Sequence, residues 1–257
     1  MRGFIAFTKK EFTEQIRTYR LLIMISTFFL FGMMSPLLAK LMPEIFEGMK
    51  IQGIEIKIPE PTAIDAYAQF FKNMTQMGII IVLLVFGGVI SNELTRGTLI
   101  NILAKGLLRP AVILAKYTAA LCLWTVSLIL AALTTYGYTI YLFKDAAVPN
   151  LFFSVFCLWL FGAFLLSLIF LSSTLTGGNF GGLILTAVII GGLFLVNIFP
   201  KAEKSNPLYL ASHNMDLLQQ TLSQGAFVKA IVITAVLTVG CLLASTSPRS
   251  GRRCGRC

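Results

Sequence analysis

Six long apolar runs, separated by short polar segments, set the pattern of this chain. Residues 21–41 carry no charge until Lys40, and 75–92 and 117–143 carry none; 151–171, 180–199 and 228–245 complete the set. About 20 mostly apolar residues suffice to cross the roughly 30 Å hydrocarbon layer as a helix. An unpaired backbone amide in lipid costs several kcal/mol, so such runs are predicted to be helical. The run 117–143 is long enough to tilt. The apolar part of the last run, residues 228–244, is the shortest of the six, and Lys229 at its edge can reach the interface. The expected fold is an all-α integral membrane protein with six transmembrane helices over 21–246, preceded by an N-terminal interfacial amphipathic helix over 1–20. A cleaved leader would have an apolar stretch of roughly 7–15 residues after a short basic start. Here about twenty mixed residues come first, so residues 21–41 read as a retained span.

The segments between the runs have their own patterns. Over residues 3–20, Ile5, Phe12, Ile16 and Tyr19 share one stripe of a helical wheel, flanked by Lys9, Arg17 and Arg20, with Lys10 and Glu14 opposite. A helix lying in the membrane interface, apolar side down, suits this pattern; a cytosolic helix packed on the protein is the alternative. From Glu93 to Lys116, a short amphipathic helix fits between Gly97 and Lys105. Gly106 can end it in a left-handed turn, and Pro110 can open the next helix; a plain basic loop is the alternative. Ile54, Ile56 and Ile58 alternate as a short strand or hairpin edge would, before a helix from about Thr62. In 200–227, Asn206-Pro207 opens a helix with Ala211, Met215, Leu218 and Leu222 on one face, lying on the outer surface or dipping into it. The glycine cluster from Gly177 to Gly182 reads as a tight turn between the fourth and fifth runs.

Orientation follows from the basic residues. Arg2, Lys9, Lys10, Arg17 and Arg20 precede the first run, and Arg96, Lys105, Arg109 and Lys116 lie between the second and third. The opposite-side segments hold Lys50, Lys57, Lys72, Lys144, Lys201 and Lys204. Nine against six places the N-terminus in the cytoplasm, and an even span count returns the C-terminus there. Composition agrees with a membrane protein: 56% of the 257 residues are hydrophobic and 12% charged, about half the roughly 25% charged of soluble domains. The net charge of +10 includes four arginines in the last nine residues. What remains suits a surface beside anionic lipid and gives no reason to invoke nucleic acid.

Candidate chemistry is sparse. Residues 247–257 form an atypical basic tail, abrupt enough in composition to suggest an out-of-frame or artificial terminus. Its Cys254-x-x-Cys257 pair has no second pair to complete a structural zinc site of four ligands. Cys122, Cys157 and Cys241 lie in spans and read as small apolar residues. His213 is the only histidine, lies outside the spans and reads as a solvated loop residue. No phosphate loop, His-Glu-x-x-His or Gly-x-Ser-x-Gly pattern occurs, so no catalytic or metal site is expected and the chain is not expected to be an enzyme. An ion-coupled secondary transporter would need ionisable groups deep in the spans; no acidic residue lies near mid-depth. That class and a structural or assembly membrane subunit remain as alternatives.

One resemblance adds to this reading. Glu93-x-x-Arg96-Gly97-Thr98, then Leu103, Lys105, Arg109 and Lys116, resembles the first cytoplasmic loop of type-2 ABC exporter permeases. The opening Lys9-Lys10-Glu11-Phe12, with Arg17-Thr18-Tyr19-Arg20 before an apolar span, is similar to theirs, as is the layout of six spans with a large first outer loop. The resemblance implies a permease subunit of the cytoplasmic membrane without its own ATPase. Residues 1–20 would be an interfacial connecting helix, marked by Lys9, Lys10, Phe12, Arg17 and Arg20. The loop with Glu93, Arg96, Gly97, Thr98, Lys105, Arg109 and Lys116 would contact a cytosolic ATP-binding cassette subunit. ATP and magnesium would bind that partner and not this chain. A second permease copy, identical or related, would complete the pathway within the lipid bilayer.

Overall fold

The computed structural model describes residues 2–48, 60–89, 109–143, 148–176 and 180–246. Helices make up their regular structure, and no strand occurs among the described residues. The alternation at Ile54, Ile56 and Ile58, residues 93–106, Gly177, Gly178 and the tail 247–257 lie outside them.

Helix α1 spans Arg2–Arg17 and α2 spans Arg20–Gly48. The passage between them, expected to be direct, is broken at Thr18–Tyr19, where Tyr19 takes a left-handed φ of 57°. That conformation costs an L-residue roughly 1–2 kcal/mol and redirects the chain into the first long helix. The second begins twelve residues earlier than the apolar run suggested. The Asp65 carboxylate accepts from both the amide and the hydroxyl of Thr62, each at 2.8 Å, which satisfies a helix start. From there α3 (Ala63–Asn73) passes through a wider π turn, Met74–Gly78, into α4 (Ile79–Phe86). Helix α5 is Arg109–Leu142, with Pro110 in its first turn, and α6 is Leu151–Thr176. Helix α7 is Gly181–Asn197. Three short helices follow, α8 (Pro200–Glu203), α9 (Tyr209–Ser212) and α10 (Asn214–Leu218), then α11 (Gly225–Thr246).

Among the described residues, five helical rods are long and apolar enough to cross a membrane: Arg20–Ile45, Ala63–Phe86, Pro110–Leu142, Leu151–Thr176 and Gly225–Thr246. The expected count of six is not reached on length, because α7 has 17 residues. Its run is cut short by Pro200. The residue before a proline is pushed out of the helical region, and Phe199 sits at φ −90°, ψ 113°. The final run moves the other way. Gly225–Phe227 and Thr246 extend it to 22 residues, so it is not the shortest.

Close helix approach builds the core. A Cβ on Gly32 of α2 would lie 2.6 Å from the Ala131 carbonyl oxygen of α5, so the two backbones are in direct contact. Pro36 has no amide for the Gly32 carbonyl, which lies four residues earlier. The Thr135 hydroxyl reaches that oxygen at 3.1 Å, sharing its one proton with the Ala131 carbonyl at 2.9 Å. Neighbouring hydroxyls of this kind let a spanning helix tolerate proline. On the same face of α5, about two turns nearer its start, Trp124 lies against Gly162 of α6, where a Cβ would come within 2.2 Å of the indole. Trp124 Nε1–H donates to the Trp159 carbonyl at 3.2 Å, and Phe28 meets the Trp124 ring edge-on at 5.6 Å. Helix α6 is the most enclosed of the long helices.

Residues 206–222 were expected as one helix lying on the outer surface or dipping partly into it. They turn inward, and the helix is broken into α9 and α10. Asn206 through Ala211, Asn214, Leu217 and Leu218 are buried. Thr75, in the π turn, donates to the Ala211 carbonyl at 3.1 Å. Asn206 donates to the Leu193 carbonyl of α7 at 2.7 Å, and Asn150 to the Leu217 carbonyl at 3.4 Å. Asn150 follows the far end of α5, so this segment sits at the end of the bundle remote from α1.

Candidate coupling site

The N-terminal helix meets the base of α5 just after the loop that the sequence singled out. On α1, the residues that face the protein recur every four positions. Phe7, Glu11 and Gln15 are buried, which is the spacing of one helical face. Opposite the Glu11 carboxylate stands Lys116, the eighth residue of α5. Their Nζ–Oε2 distance is 2.7 Å, and each side chain is 2% exposed. Phe7 completes the enclosure, with the Lys116 ammonium 5.8 Å from its ring centroid and the Lys10 ammonium 5.3 Å from it.

Electrostatics decides what such a pair can do. Each ion loses several kcal/mol of hydration on burial, and their attraction roughly offsets that loss. On that balance the pair adds little net stability. It bridges α1 and α5 where they pack together. Lys10 and Glu14 pair at 3.7 Å on the exposed side, a contact of at most about 1 kcal/mol.

Among the residues that the sequence singled out, Lys9, Lys10 and Arg17 are exposed and Arg20 is half-buried at the start of α2. Phe12 is 40% and Ile16 60% exposed. The apolar stripe thus faces away from the protein, while the face with Glu11 and Gln15 faces inward. This arrangement is the reverse of a helix seated on a water-soluble domain. Glu93, Arg96, Gly97, Thr98 and Lys105 lie outside the described residues. Arg109 opens α5, and Lys116 is engaged inside the chain by Glu11. Glu11, quoted for its motif, was given no role, and Gln15 and Phe7 were not singled out. Two signals could have found Glu11: a lysine seven residues into an apolar helix needs a counter-ion, and a carboxylate recurs on the polar face of the preceding helix.

His213 differs from its reading as a solvated loop residue. Its Nε2 lies 2.5 Å from Glu203 Oε1 and its Nδ1 2.7 Å from Asp216 Oδ2. Cys157 is buried, Cys241 half-buried and Cys122 exposed. Among the described residues no group of three His, Cys, Asp or Glu side chains could hold a metal ion.

Several apolar helices long enough to cross a bilayer, closely packed through glycines and hydroxyls, define a multi-pass membrane protein. The family profile described as ABC-2 family transporter protein matches residues 5–246, nearly the whole chain, and the chain belongs to that family. It is accordingly a membrane permease component of an ABC transporter, a transport protein and not itself a catalyst. Neither the curated proteins nor the solved structures give a significant match.

Proposed function

We propose that this chain is the membrane-spanning subunit of an ATP-binding cassette exporter of the cytoplasmic membrane. ATP and magnesium bind a separate cytosolic subunit, and a second copy of the permease, identical or related, completes the pathway. The chain crosses six times, α7 included, with the N-terminus in the cytoplasm. A 17-residue helix is about 25 Å long, at the short end of spanning length. Helix α1 lies in the cytoplasmic interface. Its outward apolar stripe rests in the headgroup region, and Lys9 and Arg17 reach the anionic lipids. The loop with Glu93, Arg96, Gly97, Thr98 and Lys105 seats in the ATP-binding subunit, beside the start of α5.

The buried Glu11–Lys116 pair is the observation that carries this reading. It fastens α1 to the helix that leaves the loop, so a push on the loop moves α1 and α5 as one body. That is what a motor in another subunit requires of a permease. The test is Arg96→Glu, with the adjacent ATP-binding subunit co-expressed. Membrane insertion stays intact and co-purification of the ATPase falls. Wild-type co-purification together with wild-type transport would remove the coupling role.

A further inference from the structure

At the end of the bundle remote from α1, residues 206–218 fold back into the protein, and titratable side chains of the segment 200–218 meet there. The imidazole of His213 stands between two carboxylates, Nε2 at 2.5 Å from Glu203 and Nδ1 at 2.7 Å from Asp216. Tyr209 covers one face of the ring, with centroids 4.4 Å apart. A carboxylate only accepts hydrogen bonds, and a neutral imidazole has a single N–H. Two short contacts therefore need two protons. An imidazolium between two carboxylates supplies them, as does a neutral ring between one carboxylate and one carboxylic acid. The proton count is the same in either microstate, so it belongs to the cluster and not to one residue.

We propose that Glu203, His213 and Asp216 form a proton-operated clasp that closes the segment 200–218: binding one proton ties α8 to α10 through the ring, and its release opens one of the two contacts. Among the described residues, the other side-chain hydrogen bonds that tie this segment to the surrounding bundle, from Asn206 to Leu193 and Asn197, Thr75 to Ala211 and Asn150 to Leu217, come from amides and a hydroxyl and do not titrate. The clasp is thus the pH-dependent member of the set. It is reachable, because the His213 and Glu203 side chains are about a quarter exposed, at 24% and 25%. Loss of the proton takes the cluster from one net negative charge to two, so the carboxylates then repel across the ring.

Neighbouring groups do not take over the role. The helices packed on this segment carry Asp65, Tyr67, Lys72, Cys157, Lys229 and Cys241. Among the described residues the ring's hydrogen bonds go to Glu203 and Asp216. Burial foremost, then the charges of Glu203 and Asp216, pushes the Tyr209 phenol above its ordinary value, so Tyr209 stays neutral throughout. The inference stands on this geometry and does not need the transport reading.

The test uses the full chain in lipid nanodiscs. Hydrogen-exchange protection of peptides covering 203–218 is measured from about pH 5 to 8, the range over which imidazoles change charge. Protection falls roughly tenfold toward pH 8, the effect of one charge-assisted hydrogen bond. In His213→Gln it is low at every pH, and in His213→Arg, which keeps a cation between the carboxylates, it stays high. The chain has a single histidine, so ¹⁵N-histidine spectra of the unmutated protein report the ring alone. Two protonated nitrogens, or one N–H ring whose loss of closure tracks protection, fit the clasp. Protection that does not change with pH, or changes identically in His213→Gln, overturns it.

Discussion

Glu11 and Lys116 show how a buried charge sets geometry without adding much stability. Removing either side chain takes this counter-charge away from a buried ion. Glu11→Gln or Lys116→Met should each lower stability by about 3–5 kcal/mol, while replacing both with Met should cost far less. Chemical unfolding in mixed micelles distinguishes the cases, and equal losses in single and double variants would show that the pair does not act as a unit. Gly32 and Thr135 form a second residue-scale device. A methyl at Gly32 meets the Ala131 carbonyl oxygen at 2.6 Å, so Gly32→Ala forces α2 and α5 apart, at about 1–3 kcal/mol. Thr135→Val removes the donor that serves the carbonyl freed by Pro36, at about 0.6–2 kcal/mol. Thermal unfolding followed by circular dichroism ranks them, with Gly32→Ala the more damaging.

Elements in this chain are defined as much by their ends as by their interiors. Pro200 stops α7, Asp65 starts α3, and a left-handed Tyr19 separates α1 from α2. The shortness of α7 makes it the element whose crossing most needs measurement. Single cysteines at Phe180 and Pro200, in a background with the native cysteines replaced, should react with a membrane-impermeant maleimide from opposite sides of the membrane. Labelling of both from one side would make α7 a hairpin within one leaflet and reduce the crossings to five. Helix α1 illustrates a different point. Its amphipathic pattern was plain in the sequence, but the pattern has two sides, and the polar side is the one that the protein buries.

For the molecule as a whole, the sequence carried the coarse architecture because its physics is local. A backbone in lipid must bond to itself, so Tyr117–Phe143 or Leu151–Leu171 had to be helical whatever their neighbours. The helix start near Thr62 and the opening of α5 at Pro110 were legible for the same reason, since caps and prolines act within one turn. Family membership was legible too, from the opening segment and the loop around Arg96. What could not be read depended on residues far apart in the chain. That Lys116 meets Glu11, that Thr135 serves Gly32, and that 206–218 folds inward are products of tertiary packing. So is the environment of His213, which local polarity marked as solvated and which closure of the loop places between two carboxylates. Local patterns determine which segments become helices because their backbone bonds close within a few residues. Only the packed bundle decides which polar side chains find each other, because hydrogen bonds across 105 residues of sequence exist once the helices have been brought together and not before.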